Sequence, residues 1–415
     1  MTRTPLLAAL LLAALLLGLA SPALAGDEDL RAVAQGNSAF ALDLYGHLKE
    51  KPGNLFFSPF SVSAALAMTM AGARGDTEAG MGKALRLDLG REKLAPAFGA
   101  LLKDLNDRKM KGRWQDDPNA GKKPFELVVA NALWGQKGYP FKADFLGLLK
   151  RSYEAGLQEA DFGADPDKAR KAINAWVEEK TKNKIREILP PGTVPASTRL
   201  VLANAIYFKA AWVQPFEKEA TREGEFLLSS KEKVRVPFMR RTGDFRYAET
   251  ESMQVLTLPY QGGDLAMAVL LPKAVEGLPE LEKGLDAGAF WRAWDAAASA
   301  EVNVQLPKFK IESAFPLNDA LISLGMGDAF APGKADFTGM ADTKELFIGF
   351  VIHKTFVDVN EAGTEAAAAT VVGMLGGDMP AEPKAFKADR PFLFAIVDGK
   401  TRSILFLGRV ANPAK

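Results

Sequence analysis

The 415-residue chain has no cysteine and only two histidines. The first absence removes thiol nucleophiles, zinc–thiolate sites, thioether-linked haem and every disulfide, so stability must come from packing. The second leaves His47 and His353, too far apart in sequence for an HExxH pair. His47 lies in "FALDLYGHLKE", whose Phe40, Leu44, Tyr45 and Leu48 form a helical apolar stripe, and is read as structural. His353 lies in the strand-like run "FVIHKTFVDV", and no GxSxG elbow accompanies it, so hydrolase chemistry is not supported. Net charge is lacking too. Without Arg3, 51 Lys+Arg balance 51 Asp+Glu, and nothing draws the chain to nucleic acid or an anionic membrane through global charge. No metal site or cofactor motif is present, and no repeat of about 20–50 residues is visible.

What is present begins with an apolar leader. Arg3 is the only charge before Gly26, Leu6 to Ala20 is apolar, and Ala23-Leu24-Ala25 is a small-x-small site. This predicts a signal peptide over 1–25, cleaved after Ala25, and a secreted protein, extracellular or periplasmic. The run is shorter than the roughly 20 residues that span a bilayer. With no Pro/Gly/Ser linker afterwards, 26–415 is expected to form one domain. Its most irregular stretch is 107–124.

Helical patterns dominate the first half. "SPFSVSAALAMTMAGARGDTEAGMGKAL" opens on Ser-Pro and breaks at Gly72 and Gly75; "DPDKARKAINAWVEEKTKNKI" has Asp165 or Asp167 as its cap. "FELVVANALWG" and "RLVLANAIYFKAAW" interrupt them as strands. Strand patterns dominate the second half: "MQVLTLPY", "LAMAVLLP", "VNVQLPKFKI", "KTFVDVN", "PFLFAIVD" and "SILFLGRV", with one helix near "LNDALISLGM". Without βαβ alternation this predicts an α+β fold with mostly antiparallel sheets.

The segment "NEAGTEAAAATVVGMLGGDMP", Asn360 to Pro380, fits neither a helix nor an exposed strand. It holds no Lys or Arg, four consecutive alanines, and Gly373, Gly376 and Gly377 near its end. Read by period two, one face carries Thr364, Ala366, Ala368, Thr370, Val372 and Met374. The other carries Glu365, Ala367, Ala369, Val371, Gly373 and Leu375. The first face could enter a core with only two hydroxyls to desolvate, and Gly363 permits a pivot at positive φ.

These pieces, in this order, resemble the serpin family over essentially the whole chain after the leader. They are "NLFFSPFSVSAALAMTMAGARGDT", "LVLANAIYFKAAW", "LPKFKIES" with "LNDALISLGMGDAF", "HKTFVDVNEAGTEAAAAT", and "ADRPFLFAIVDGKTRSILFLGRVANP". The resemblance implies helices around three mostly antiparallel sheets with an exposed reactive-centre loop, about 361–390. It implies an inhibitory, bacterial-type member that is no enzyme and needs no cofactor. A target serine protease attacks the loop and forms an acyl-enzyme; the cut loop inserts as a new strand and traps the protease. Serpin loop insertion is itself a standard example of strand addition and released strain.

By the same resemblance, Glu361, Gly363, Thr364, Glu365, Ala366, Ala367, Ala368, Ala369 and Thr370 form the hinge. Ser58, Pro59, Ser61, Asn204, Trp212 and His353 fall on positions controlling the parting of strands. Counting about 17 residues from the hinge Glu361 puts the reactive bond at Gly377–Asp378, with Leu375–Gly376 the runner-up. Thr370 to Pro380 has no Lys or Arg, which excludes a trypsin-like specificity pocket. An elastase- or subtilisin-like target is expected, with chymotrypsin-like and papain-like cysteine proteases as alternatives. The protein is expected to be a monomer. A carrier or chaperone role is the rival, disfavoured because the hinge has neither charge nor proline at Thr364 or Ala366. Arg108, Lys109, Lys111, Arg113, Lys122 and Lys123 raise polyanion binding, which Asp107, Asp116 and Asp117 weaken; a solvated loop is the default.

Overall fold

The computed structural model describes residues 26–110, 121–153, 156–364 and 382–415. Helices α1 (Asp27–Leu48), α2 (Pro59–Met70), α3 (Gly75–Ala84) and α4 (Arg91–Asp107) flank the short strand β1 (Leu55–Phe57). The order continues β2 (Phe125–Gln136), α5 (Ala143–Tyr153), β3 (Leu157–Ala160), α6 (Pro166–Lys180) and β4 (Leu200–Ala211). Strands then dominate: β5 (Arg222–Leu227), β6 (Lys233–Glu249), β7 (Met253–Pro259) and β8 (Leu265–Pro272). Helices α7 (Leu278–Lys283) and α8 (Ala287–Ala296) precede β9 (Ala298–Pro307) and β10 (Phe309–Pro316). After a short helical run over 318–330 come β11 (Phe350–Asn360), β12 (Gly363–Thr364), β13 (Lys384–Lys387), β14 (Phe392–Asp398) and β15 (Ser403–Val410). The α+β class and the mostly antiparallel pairing follow the sequence; β11–β4, β13–β9 and β2–β3 are parallel.

Among the described residues the strands join into two sheets rather than the expected three. One has nine strands, the other six in the order β10-β11-β12-β4-β2-β3. The merger is made by β6, whose 17 residues pair with β5 at one end, β7 at the other, and β9 between. The run "VNVQLPKFKI", legible as one strand, is two. It breaks at Pro307-Lys308 and crosses from the nine-stranded sheet (β9) to the six-stranded one (β10). Proline has no N–H to continue a ladder, which suits a crossing point.

Two apolar clusters sandwich the six-stranded sheet. Every residue of α2 is buried between the sheets. Ser58 caps this helix, its Oγ accepting the Ser61 N–H at 3.1 Å, and Pro59 takes the first helical position, where a missing N–H costs nothing. On the opposite face α6 packs Ile173 and Val177 into a second cluster with Ala130, Ala132, Val201, Ala203 and Ala205. Asp165, not Asp167, caps α6 through the Lys168 N–H at 2.9 Å. Covered on both faces, β4 is buried everywhere except at Lys209 and Ala211. His47, read as structural, is exposed on the last turn of α1, outside the stripe of Phe40, Leu44, Tyr45 and Leu48.

Candidate functional site

The six-stranded sheet contains a fork. β11 pairs parallel with β4 from Phe350↔Val201 to Thr355↔Ile206. Above that point the two strands part, and β12 stands between them. Thr364 and Gly363 pair with Val359 and Asn360 on one side, and with Ala210 and Ala211 on the other. Gly363 has φ +151°, and a Cβ there would lie 2.1 Å from the Ala210 carbonyl oxygen, so only glycine fits. Thr364 is 1% exposed and shares a 2.7 Å hydrogen bond with the Tyr260 hydroxyl.

The chain around this turn is held by several partners. Tyr260 stacks on Trp212 at 4.5 Å, and the Trp212 indole N–H donates to the Asn360 carbonyl at 3.0 Å. The Glu361 carboxylate, buried, pairs with the Lys308 ammonium at 2.9 Å and accepts the Thr221 hydroxyl at 2.9 Å. Burial alone would raise its pKa, but the Lys308 and Thr221 hydrogen bonds and the Lys308 charge outweigh it and hold the group below the usual range. Lys308 is the residue at which the chain crosses between sheets.

Below the fork, one hydrogen-bonded network ties β11, β4, β2, α2 and β15 together. His353 Nε2 accepts the Ser58 backbone N–H at 2.9 Å, which makes Nδ1 the protonated nitrogen, donating to Asn204 Oδ1. Asn204 Nδ2 donates to Ser61 Oγ at 2.7 Å and also to Asn131 Oδ1. Ser61 Oγ donates to Asn131 Oδ1 at 3.1 Å, Asn131 Nδ2 donates to the Ser61 carbonyl at 3.0 Å, and Ser58 Oγ donates to the Leu405 carbonyl at 2.7 Å. His353 is fully buried, and desolvation pushes its pKa down to about 3 despite the opposing Asn204 hydrogen bond. It is a neutral strut, not a solvent-facing base.

Ser58, Ser61, Asn204 and His353 thus meet in one network, with Pro59 beside them at the start of α2. Trp212 lies apart from them, with the group around the Gly363 turn. Asn131 went unrecognised in the sequence. Its signal was there: Ala130-Asn131-Ala132 repeats Ala203-Asn204-Ala205, and the two asparagines are direct cross-strand partners. Glu365, Ala366 to Ala369, Thr370 and both reactive-bond pairs, Gly377–Asp378 and Leu375–Gly376, lie outside the described residues. Of the basic stretch, Arg108 is withdrawn from solvent. Its guanidinium makes a bidentate pair with the fully buried Asp398 at 2.7–2.8 Å and reaches Asp104 at 2.6 Å. Lys111 and Arg113 lie outside the described residues.

A family model described as Serpin (serine protease inhibitor) matches residues 35–413. The horse leukocyte elastase inhibitor is 43% identical over 392 residues, covering 92% of this chain and 99% of its own. The human leukocyte elastase inhibitor is 40% identical with the same coverage. The crystal structure of Serpin48 from the insect Tenebrio molitor is similar, with TM-score 0.79, 33% identity, and coverage of 93% and 98%. These relatives give no support to a bacterial-type member. They also overturn the expected export. The elastase inhibitors are matched over 99% of their own length while the family match starts only at residue 35, so they hold no counterpart of the run Leu6 to Ala20. Residues 1–25 lie outside the described residues.

Proposed function

The chain belongs to the serpin family of serine protease inhibitors, and from that premise we propose that it traps an elastase- or subtilisin-like protease by inserting its cleaved reactive loop between β11 and β4. The observation that carries this is β12: Gly363 and Thr364 are already paired as the first rung of a strand at the top of the β11–β4 seam. The protein acts as an inhibitor, not an enzyme. Residues 26–415 work as one domain and one monomer, with the reactive loop spanning about 361–390 and the remaining hinge residues, Glu365 to Thr370, following β12 into the sheet.

The protease Ser Oγ attacks the Gly377 carbonyl. The C–N bond to Asp378 breaks, the freed amine takes the proton, and an ester links protease to inhibitor. Hydrolysis of that ester would release both proteins, so insertion must be faster. Small residues from Ala366 to Ala369 bring little side-chain entropy to lose and no charge to desolvate. The network of Ser58, Ser61, Asn131, Asn204 and His353 joins strands on both sides of the seam and governs their parting.

Two observations support the target class. The relatives cited above carry the name leukocyte elastase inhibitor. A glycine before the reactive bond suits a small specificity pocket, and the absence of Lys and Arg from Thr370 to Pro380 leaves a trypsin-like pocket nothing to hold. Incubation with elastase, subtilisin, chymotrypsin, papain and trypsin tests this, read as SDS-stable complexes and as the mass of the released C-terminal fragment. A fragment beginning at Asp378 fits the assignment. One beginning at Gly376 moves the bond to Leu375 and favours a chymotrypsin-like target. Rapid stable trapping of trypsin refutes the specificity argument.

A further inference from the structure

The outward face of β6 and β9 carries a charge pattern that folding does not explain. Antiparallel register sets Arg240 beside Gln305, Thr242 beside Asn303, and Asp244 beside Glu301. Alternate residues of a strand share a face, so these six form three rows on one side of the sheet. All are exposed except Gln305, which is half-buried. Asp244 and Glu301 are like charges directly opposite each other, an arrangement that destabilises a sheet. Among the described residues no ion pair or side-chain hydrogen bond engages the side chains of Arg240, Asp244 or Glu301. The Arg240 end opens into a cleft of about 380 Å³ that Glu217, Ala220, Thr242, Asn303 and Gln305 also line. Arg241 borders the cleft too, but its guanidinium is occupied, donating to the Pro215 carbonyl at 2.7 Å and to Gln214 Oε1 at 3.3 Å.

Both stems of the reactive loop leave the body beside this face. On one side, the segment that carries Glu217 and Ala220 holds the Glu361 turn. The Phe216 N–H donates to the Glu361 carbonyl at 2.8 Å, and the Thr221 hydroxyl donates to its carboxylate at 2.9 Å. On the other side, β13 runs parallel to β9, with Ala385 beside Asn303 and Lys387 beside Gln305. Lys384 follows Asp378 by six residues, a reach of at most about 21 Å. A globular domain of about 200 residues has a radius of gyration of about 16 Å. A protease engaged at Gly377–Asp378 therefore overhangs the face.

We propose that the outward face of β6 and β9 is a docking surface for the target protease, on which Arg240 takes a carboxylate of the partner and Asp244 with Glu301 takes a lysine or arginine. The assignment rests on the inhibitory reading above and narrows it. The target must present both signs of charge on the side of its cleft that receives Asp378. The two charge centres lie four residues apart along β6, about 13 Å. A planar guanidinium meets a carboxylate with two parallel N–H bonds, and the Asn303 and Gln305 amides add donors and acceptors between the centres. A sulfated polysaccharide is disfavoured, because Asp244 and Glu301 repel it and Arg240 alone attracts it.

The test uses the full-length protein with elastase, subtilisin and chymotrypsin whose catalytic serine is replaced by alanine. Docking is then read as a dissociation constant, without cleavage. Arg240→Glu should weaken docking of the best-bound protease about tenfold at low salt and far less at high salt, while Arg240→Lys should lose little. Glu301→Gln is the sharper variant. It removes one of two facing carboxylates, so the melting midpoint should rise by about 1 °C while docking weakens about two- to fivefold. A residue serving only the fold would not gain stability and lose docking together. With active protease, trapping should slow by the same factors. The number of inhibitor molecules cleaved per complex should not change, because the surface acts before acylation. Docking unchanged in both variants overturns the proposal, as does docking too weak to measure with all three proteases. Loss of retention on immobilised heparin in Arg240→Glu, without loss of docking, overturns it in favour of a polyanion. If the parent binds a silenced protease but traps none, the inhibitory reading fails by itself, and the dissociation constants still decide the docking surface.

Discussion

Acidification should loosen the sheet through His353, and by a calculable amount. Burial lowers its folded-state pKa to about 3 from the 6.5 ordinary for histidine. The group is therefore held neutral, and protonation opposes folding. Its contribution to stability is complete above pH 6.5 and is lost as the pH falls from 6.5 towards 3. The full span corresponds to about 5 kcal/mol, and the loss already reached at pH 5 to about 2 kcal/mol. Among the described residues no carboxylate charge softens this. The imidazole's hydrogen-bond partners are Asn204 and the Ser58 backbone, and Phe315 stands opposite it on β10. For a chain of this length, 2 kcal/mol lowers the melting midpoint by about 2–3 °C. The assay is thermal unfolding at pH 7.5 and pH 5.0, for the parent and for His353→Gln. Glutamine carries an acceptor for the Ser58 N–H and a donor for Asn204, but no titrating group. The parent should lose its 2–3 °C and the variant should not. Equal losses in both would refute the claim that the buried neutral imidazole is what acid attacks.

Thr364→Arg should turn the inhibitor into a plain substrate. An arginine at a position 1% exposed and bonded to Tyr260 carries a desolvation cost of several kcal/mol, so gels should show cleavage without a stable complex; undiminished trapping counts against insertion. Gly363→Ala should slow trapping, because its Cβ meets the Ala210 carbonyl oxygen at 2.1 Å and the backbone must shift at a cost of about 1–3 kcal/mol; an unchanged trapping rate would mean the turn moves freely. Cleavage of the loop should raise the melting midpoint, since the uncut sheet withholds a strand it can accept. A lower or unchanged midpoint would favour the carrier role.

The legible parts of the fold were those whose local pattern and tertiary role agree. β4 reads as a strand because it is rich in Val, Leu, Ile and aromatics, and the start of α2 reads from Ser58-Pro59 because the capping chemistry is local. The crossing at Lys308 was hidden because apolar residues continue on both sides of it; its signs were Pro307 and the slip in alternation from Val302, Val304 and Leu306 to Phe309 and Ile311. Arg108 looked like part of a basic loop because its partner, Asp398, lies 290 residues away. At the candidate site, Glu361, Gly363 and Thr364 were singled out through their order in the chain. Asn131 was missed because its signal, the repeat of Ala130-Asn131-Ala132 in Ala203-Asn204-Ala205, gains meaning only once the two strands are known to pair.

The two residues of β12 also bear on the kinetics of strand addition. A strand joining a sheet resembles a zipper: the first rung bears the entropy of closing the loop, and each later rung adds bonds at little further cost. Here the first rung is closed before any protease arrives, with Gly363 and Thr364 bonded to both neighbours. Insertion would then begin in its elongation phase. Substitutions at these two positions would govern whether molecules start out primed and give mixed populations, whereas substitutions farther along would change a single rate shared by all molecules.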